Sequence, residues 1–188
     1  MLKVPIGTFF VNFRIYFKGC VLVMIRTQRL IIREITNEDA NNLVKVLADP
    51  IVMQYSTVGV HTKEQIDDYI ANCKNQYHLN GYGQLAIYDT TNDEFVGVCG
   101  LNKHKVGADD VIHINYRLAT EQQGKGYAVE SVFGVLDFAK NILALNAIHA
   151  LIEPANTSSV KVVNRTGFKF VRSSVFRGFT VDIYQVEL

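Results

Sequence analysis

Residues 111–152 read VIHINYRLATEQQGKGYAVESVFGVLDFAKNILALNAIHALI, and the change of period inside this stretch decides the architecture. Residues 111–118 form a short apolar run rich in β-branched side chains, the pattern of a strand. A polar loop follows, after which Val129, Val132, Phe133 and Leu136 recur at helical spacing over about residues 127–141. Residues 147–152 return to a strand pattern. Strand, helix, strand is a crossover, and a crossover of this length joins parallel strands.

Upstream, residues 84–88 and 95–101 are further apolar runs, separated by polar stretches at 89–93 and 103–110, which predicts an antiparallel meander. Before it, residues 30–35 read as a first strand. Thr36 and Asp39 then resemble a helix start, and Ala40, Leu43, Val44 and Leu47 share one face until Asp49-Pro50. Thr62 and Gln65 make a capping box for a second helix carrying Ile66, Tyr69, Ile70, Cys73 and Tyr77, stopped at Asn80-Gly81. Downstream, a short helix from about Ser158 ends at Gly167, and residues 168–173 and 180–186 close the chain as strands. The expected class is α+β: a single domain with a mixed, mostly antiparallel sheet, one parallel pair, and flanking helices.

Composition narrows the partners. Nineteen Lys and Arg against eighteen Asp and Glu leave a net charge of +1, which provides no field to draw a polyanion, so nucleic acid is disfavoured. Cys20, Cys73 and Cys99 are odd in number and far apart, and the five histidines lack ligand spacing, so no metal is expected and the thiols read as reduced in a cytoplasmic protein. The apolar runs near the amino terminus are interrupted by Asn12, Arg14 and Lys18, too broken for a bilayer span or a secretory signal. Met24 opens a more orderly stretch, so residues 1–23 are set aside as an extension and the domain is taken as residues 24–188.

The chemistry lies in Gln123-Gly124-Lys125-Gly126-Tyr127-Ala128, between a strand and a helix start. A helix amino terminus leaves backbone N–H groups unpaired at the positive end of its dipole, and glycines let a phosphate approach them closely. Pyrophosphate binding is the resulting expectation, against the plainer reading of a tight loop. A P-loop is excluded by Ala119 and Gly126, which stand where glycine and Ser/Thr are needed. A dinucleotide fingerprint is excluded by Val129.

Gln123, Gly126 and Ala128 match Gln/Arg-x-x-Gly-x-Gly/Ala, and the chain resembles the Gcn5-related (GNAT) N-acetyltransferase superfamily. Residues 153–159 (EPANTSS), residues 165–168 (RTGF) and the opening residues 27–33 (TQRLIIR) are similar to the branch of bacterial ribosomal-protein amino-terminal (RimJ/RimL-like) acetyltransferases. The resemblance implies the GNAT fold with a splayed parallel pair, and acetyl-CoA as co-substrate. It implies that backbone amides from Gln123, Gly124, Lys125, Gly126, Tyr127 and Ala128 hold the pyrophosphate. It implies further that Tyr116, Arg117 and Leu118 offer a backbone N–H to the thioester carbonyl, that Asn156 bonds pantetheine or substrate besides capping its helix, and that Ser159 protonates the departing thiolate. The acceptor is expected to be a primary amine, on a protein amino terminus or a small molecule, attacked directly in a ternary complex. Homodimerisation is left open.

An amine must be neutral to attack. A lysine ε-amine with a pKa of about 10.4 costs about 4–5 kcal/mol to deprotonate at pH 7, whereas an α-amine near 7.8 costs about 1 kcal/mol. His113 stands where many relatives carry a glutamate base, and a histidine near its usual pKa accepts a proton at neutral pH, so His113 is a candidate base, with Glu153 as a second. The loop 49–61 is expected to build the acceptor pocket, with Met53, Tyr55 and Val58 making it apolar; its one carboxylate, Asp49, disfavours a polycation. The His113 replacement keeps a competing reading alive: a non-catalytic module that senses acetyl-CoA.

Overall fold

The computed structural model describes residues 14–17 and 20–188, with side chains from Val23 onward. The elements run β1 (Arg14–Phe17), β2 (Cys20–Arg26), β3 (Leu30–Glu34), α1 (Ala40–Leu47), α2 (Lys63–Asn80), β4 (Gln84–Asp89), β5 (Phe95–Val106), β6 (Asp109–Leu118), α3 (Tyr127–Asn141), β7 (Ala147–Ile152), α4 (Thr157–Arg165), β8 (Lys169–Phe176) and β9 (Phe179–Glu187). Among the described residues the strands form one sheet in the order β1-β2-β3-β4-β5-β6-β7-β9-β8. Every neighbouring pair is antiparallel except β6 and β7, joined by the α3 crossover.

The expected helices and strands are present, and the two capping devices explain where the first helices begin. The Thr36 amide donates to Asp39 Oδ2 at 2.7 Å, closing a 3-10 turn that leads into α1. In α2 the Thr62 hydroxyl accepts from the Gln65 amide at 3.3 Å while the Gln65 side chain accepts from the Thr62 amide at 2.8 Å. Gly81, in the left-handed region, ends α2.

Three sequence expectations change. Residues 103–110 are not a loop: β5 runs to Val106 and β6 starts at Asp109. Their polar look arises because one face of this hairpin is solvated while Val106 and Val111 pack on Ile183. The closing strands likewise extend into a long β8–β9 hairpin turning at Arg177-Gly178. Finally, β2 begins at Cys20 and Val23 belongs to the core, so the sheet crosses the boundary drawn at Met24, while residues 1–13, 18 and 19 lie outside the described residues.

The two faces of the sheet are covered differently. Helix α3 supplies Tyr127, Val132, Val135, Leu136, Phe138 and Ala139 to a core built on β2, β3, β6 and β7, joined by Val163 of α4. On the opposite face Leu43, Val46 and Leu47 of α1 and Ile66, Ile70 and Cys73 of α2 pack on Ala86, Tyr88 and Val98. Burying these two apolar layers, at about 25 cal/mol per Å2 of apolar surface, is the main force holding the helices to the sheet. The consequence for function is at β6 and β7. Their parallel ladder is registered at His113↔His149, and beyond that point each strand continues toward a different neighbour.

Candidate active site

The glycine turn has the geometry its sequence predicts. Gly124 and Gly126 sit at φ +76° and +84°, values that L side chains rarely adopt, and open space surrounds the position a Cβ would take at Gly124. Gly126 is the N-cap of α3, and the helical ladder begins with Glu130 N–H donating to the Gly126 carbonyl at 3.1 Å. The amides ahead of Glu130 are the ones a helix start leaves without an intrahelical acceptor.

Glu130 fixes this helix start in place. Only 8% exposed, its carboxylate accepts from Thr27 Oγ1 at 2.6 Å, from the Arg29 amide at 2.8 Å and from Arg29 Nε at 2.7 Å. Arg29 also donates to the Lys125 carbonyl at 3.1 Å and lies over the Tyr127 ring at 4.6 Å, while the Tyr127 hydroxyl donates to Asp89. The β2–β3 turn therefore clamps the glycine turn and the start of α3 from one side.

A cleft of about 580 Å3 runs from this turn between β6 and β7. Gln123, Gly124, Gly126, Ala128 and Val129 form one end, Ile114 to Leu118 and Ala150 to Glu153 the parted strands, and Asn156, Ser159 and Val162 the α4 side. The other end is closed by Gln54, Tyr55 and Ser56 of the loop after α1. That loop is tied down at two points: Thr120 Oγ1 donates to Asp49 Oδ2 at 2.8 Å, and Tyr55 Oη donates to the Ala155 carbonyl at 3.3 Å. A narrow passage with amides at one end and a loop at the other suits a long phosphate-bearing thioester, with its phosphates on the turn and its acyl end between the strands.

Residues 29–169 match the family described as the acetyltransferase (GNAT) domain. The chain belongs to the GNAT family. The chain is 30% identical over 169 residues to the uncharacterized N-acetyltransferase p20 of Bacillus licheniformis, spanning 86% of this chain and 93% of that protein. The fold is similar to a GNAT-family acetyltransferase from Bacillus anthracis (TM-score 0.75, 21% identity, 88% of this chain and 98% of that one). It is also similar to RimL, a ribosomal L7/L12 alpha-N-protein acetyltransferase in complex with coenzyme A (TM-score 0.74, 18% identity, 88% and 98%). A third similar fold is spermidine N-acetyltransferase from Vibrio cholerae with CoA and spermine (TM-score 0.69, 18% identity, 84% and 95%). As a GNAT member the chain is an acetyl-CoA-dependent N-acetyltransferase, with acetyl-CoA as its co-substrate.

Of the site residues read from sequence, this GNAT enzyme brings Tyr116, Arg117, Leu118, Gln123, Gly124, Gly126, Ala128, Asn156 and Ser159 to one cleft. Lys125 and Tyr127 are absent from its lining: Lys125 Nζ donates to Gln122 Oε1 at 2.9 Å, and Tyr127 is turned into the Asp89 contact. Gln123 Nε2 donates to the Leu118 carbonyl at 3.2 Å, bracing the turn against β6. Asn156 caps α4 by accepting from the Ser159 amide at 3.1 Å, and Tyr116 Oη donates to the Ser159 carbonyl at 3.0 Å. Burial raises the Tyr116 hydroxyl far above neutrality, so it holds its proton and serves as a fixed donor.

His113 is corrected. It is 6% exposed, does not line the cleft, and its Nε2 lies 2.9 Å from His104 Nδ1 beneath Phe176. Burial, then the neighbouring His104, push its pKa down to about 3, which makes it a poor proton acceptor at neutral pH. The loop residues divide as well. Tyr55 lines the cleft, Met53 is buried in the core, and Val58 is 54% exposed outside the cleft lining. Asn115 and Ser56 were missed by the sequence reading. Asn115 shares a face of β6 with Arg117, two residues on, and lines the cleft beside it.

Proposed function

We propose that this enzyme moves an acetyl group from acetyl-CoA to a primary amine, on a small molecule or a protein amino terminus, by direct attack within a ternary complex in the cytoplasm. The observation that carries the reading is the single cleft joining the amides at the start of α3 to the parted β6 and β7, with a polar loop across its far end. The residues present fit the co-substrate: two glycines at positive φ, an open surface over Gly124, and no carboxylate lining the turn end. Gln123 to Ala128 would hold the pyrophosphate, and Asn156 the pantetheine arm. Bound acetyl-CoA supplies an activated acetyl thioester and a thiolate leaving group.

The chain's own groups then have separable tasks. The β6 backbone at Tyr116 to Leu118 orients the carbonyl by hydrogen bonding, which costs no reorganisation during reaction. Ser159 holds a proton for the departing sulfur; a thiol with a pKa of about 8.5 needs only a weak acid. Glu153, the only carboxylate lining the cleft among the described residues, takes the place that His113 vacates as acceptor for the amine proton. An α-amine near pKa 7.8 makes small demands on that base.

The acceptors of the similar folds, spermine in one and a ribosomal protein amino terminus in the other, are distinguished by charge. Arg117, Lys161 and Arg165 line this cleft against the single Glu153, which argues against a polycation. The test is calorimetric binding of acetyl-CoA to wild type and Gly126→Trp, with a thiol-release screen over amines and peptides. Micromolar binding that the substitution abolishes, with thiol release for an amine, is the expected result. Binding with no turnover for any amine points instead to a sensor module, and no binding to the folded wild type removes the reading.

A further inference from the structure

The acyl-transfer reading leaves one charge at the acceptor end unexplained. Arg117 lines the cleft opposite the loop after α1, donating to Asn115 Oδ1 at 2.6 Å and, at the outer limit of a hydrogen bond, to Ser56 Oγ at 3.4 Å. Both partners are neutral. Among the described residues no carboxylate lies within 4 Å of its guanidinium; the ion pairs made by Arg29, Arg33, Lys103 and Arg172 are elsewhere. A guanidinium carries five N–H donors, so most of its capacity is unspent.

The surroundings strengthen the point. Burial lowers the pKa of Arg117, the cost of holding a cation in a protein pocket without an anion. Behind it, the buried His61 Nδ1 has no hydrogen-bond partner, and the proton affinity of His61 is lowered by burial and then by Arg117. Tyr69 Oη, beside the Cys73 thiol and within the field of Arg117, makes no ordinary hydrogen bond either. Asp49, the carboxylate sequence assigned to this loop, is taken up by Thr120 and by the Ile51 amide at 2.8 Å. A donor-rich, cationic, partly dehydrated corner facing an open cleft is what a carboxylate-binding site requires, because planar guanidinium and carboxylate pair through parallel hydrogen bonds.

We infer that Arg117, with Asn115 and Ser56 beside it, receives a carboxylate of the acceptor, so that the substrate is a primary amine carrying a carboxylate. This rests on the acetyltransferase reading and narrows it. A free amino acid presents that chemistry, and so does a peptide amino terminus with an acidic side chain in its first residues. Arg117 holds the carboxylate, and the amine then reaches the acyl end between β6 and β7, with Glu153 on the β7 side.

The experiment uses the full chain, wild type, Arg117→Gln and Arg117→Lys. Thiol release is measured over free amino acids paired with their amides, and over peptides beginning with Asp or Glu paired with Asn or Gln. Binding of the corresponding N-acetyl amino acids and their amides to the CoA-saturated protein is followed by calorimetry, which requires no turnover. At least one carboxylate-bearing member is expected to exceed its amide by about tenfold or more in kcat/KM and in affinity. Arg117→Gln is expected to erase that preference, and Arg117→Lys to keep part of it, each read as the acid-to-amide ratio within one variant so that any change in acetyl-CoA binding cancels. Free amino acids winning identifies a small-molecule enzyme, and acidic peptides winning a protein-terminus enzyme. Equal binding of acids and amides, or a preference that survives Arg117→Gln, overturns the inference while leaving acetyl transfer intact; loss of acetyl-CoA binding in wild type overturns the underlying reading instead.

Discussion

His113 and Arg117 lie four residues apart on β6, and so on the same side of the sheet, yet they meet opposite surroundings. At His113 the strand is paired to β7 and covered by His104 and Phe176, and the imidazole is held neutral in a dry contact. At Arg117 the registered β6–β7 pairing has ended and the guanidinium opens on the cleft with neutral partners. The strand thus changes from core to site within two repeats of its pleat, and what changes it is the departure of its neighbour. Residue type pointed the other way: histidine is the usual proton acceptor, and arginine only a positive charge.

The sharpest way to break this contrast is to move β6 itself. A Cβ at Gly97 would stand 2.2 Å from the Arg117 carbonyl and 2.8 Å from Leu118 Cα, both backbone atoms that cannot swing aside. Gly97→Ala is expected to lower unfolding stability by about 3 kcal/mol, measured from urea midpoints, and to raise the acceptor KM in whatever folded protein remains. An alanine tolerated at no cost shows that β6 yields at the splay, and that Arg117 is not held by it.

The second prediction separates the two residues by pH. The folded pKa of His113 is depressed to about 3 from an unfolded value near 6.5, so the unfolded chain binds the proton first as pH falls. Stability is therefore complete above about pH 6.5 and is lost progressively toward pH 3. The loss between pH 6.5 and 5 is about 1–2 kcal/mol, before the carboxylates titrate. The groups that act on His113 through their charge, His104, Arg177 and His149, disfavour its proton, and the one contribution that favours it, a backbone hydrogen bond at Ile114, is outweighed. His113→Leu is expected to flatten the slope in this window, whereas Arg117→Gln leaves it untouched.

The glycine turn was legible in sequence because its requirements are local: two positive φ angles, a helix start, and a strand before it within a dozen residues. The capping boxes at Thr36 and Thr62 were legible for the same reason. The acceptor end was not. Arg117 acquires its role from Ser56, sixty-one residues away, and from the end of pairing with β7, neither of which leaves a mark in the spacing around it. His113 was misread for the matching reason, since Phe176 and His104 arrive from other strands. Polar alternation concealed the ends of β5 and β6, where one face is wet, so period 2 carried more information there than apolar content.

A smaller effect tests whether the turn and the acceptor end are independent. Glu130→Gln keeps the shape of the side chain but weakens its bonds to Thr27 and Arg29. Because Arg29 is partly exposed, about 1 kcal/mol is the expected scale, seen as roughly a fivefold rise in the acetyl-CoA dissociation constant. The acceptor KM is expected to stay constant. A parallel change in both constants joins the two ends of the cleft through α3.

The smallest expected effect is the most informative about β6. If His113 were the general base, its removal would cost the 10²–10⁴-fold that a positioned proton acceptor contributes. Buried beside His104, outside the cleft, and neutral across the working pH range, it has no path to the amine. His113→Leu loses the contact with His104 Nδ1, a stability matter of about 1 kcal/mol. At pH 7.5 its kcat with the best acceptor is therefore expected to stay within about twofold of wild type, while Glu153→Gln slows the same reaction and shifts its pH profile. A hundredfold loss in His113→Leu with stability preserved reverses that assignment, and places the base on the covered half of the strand after all.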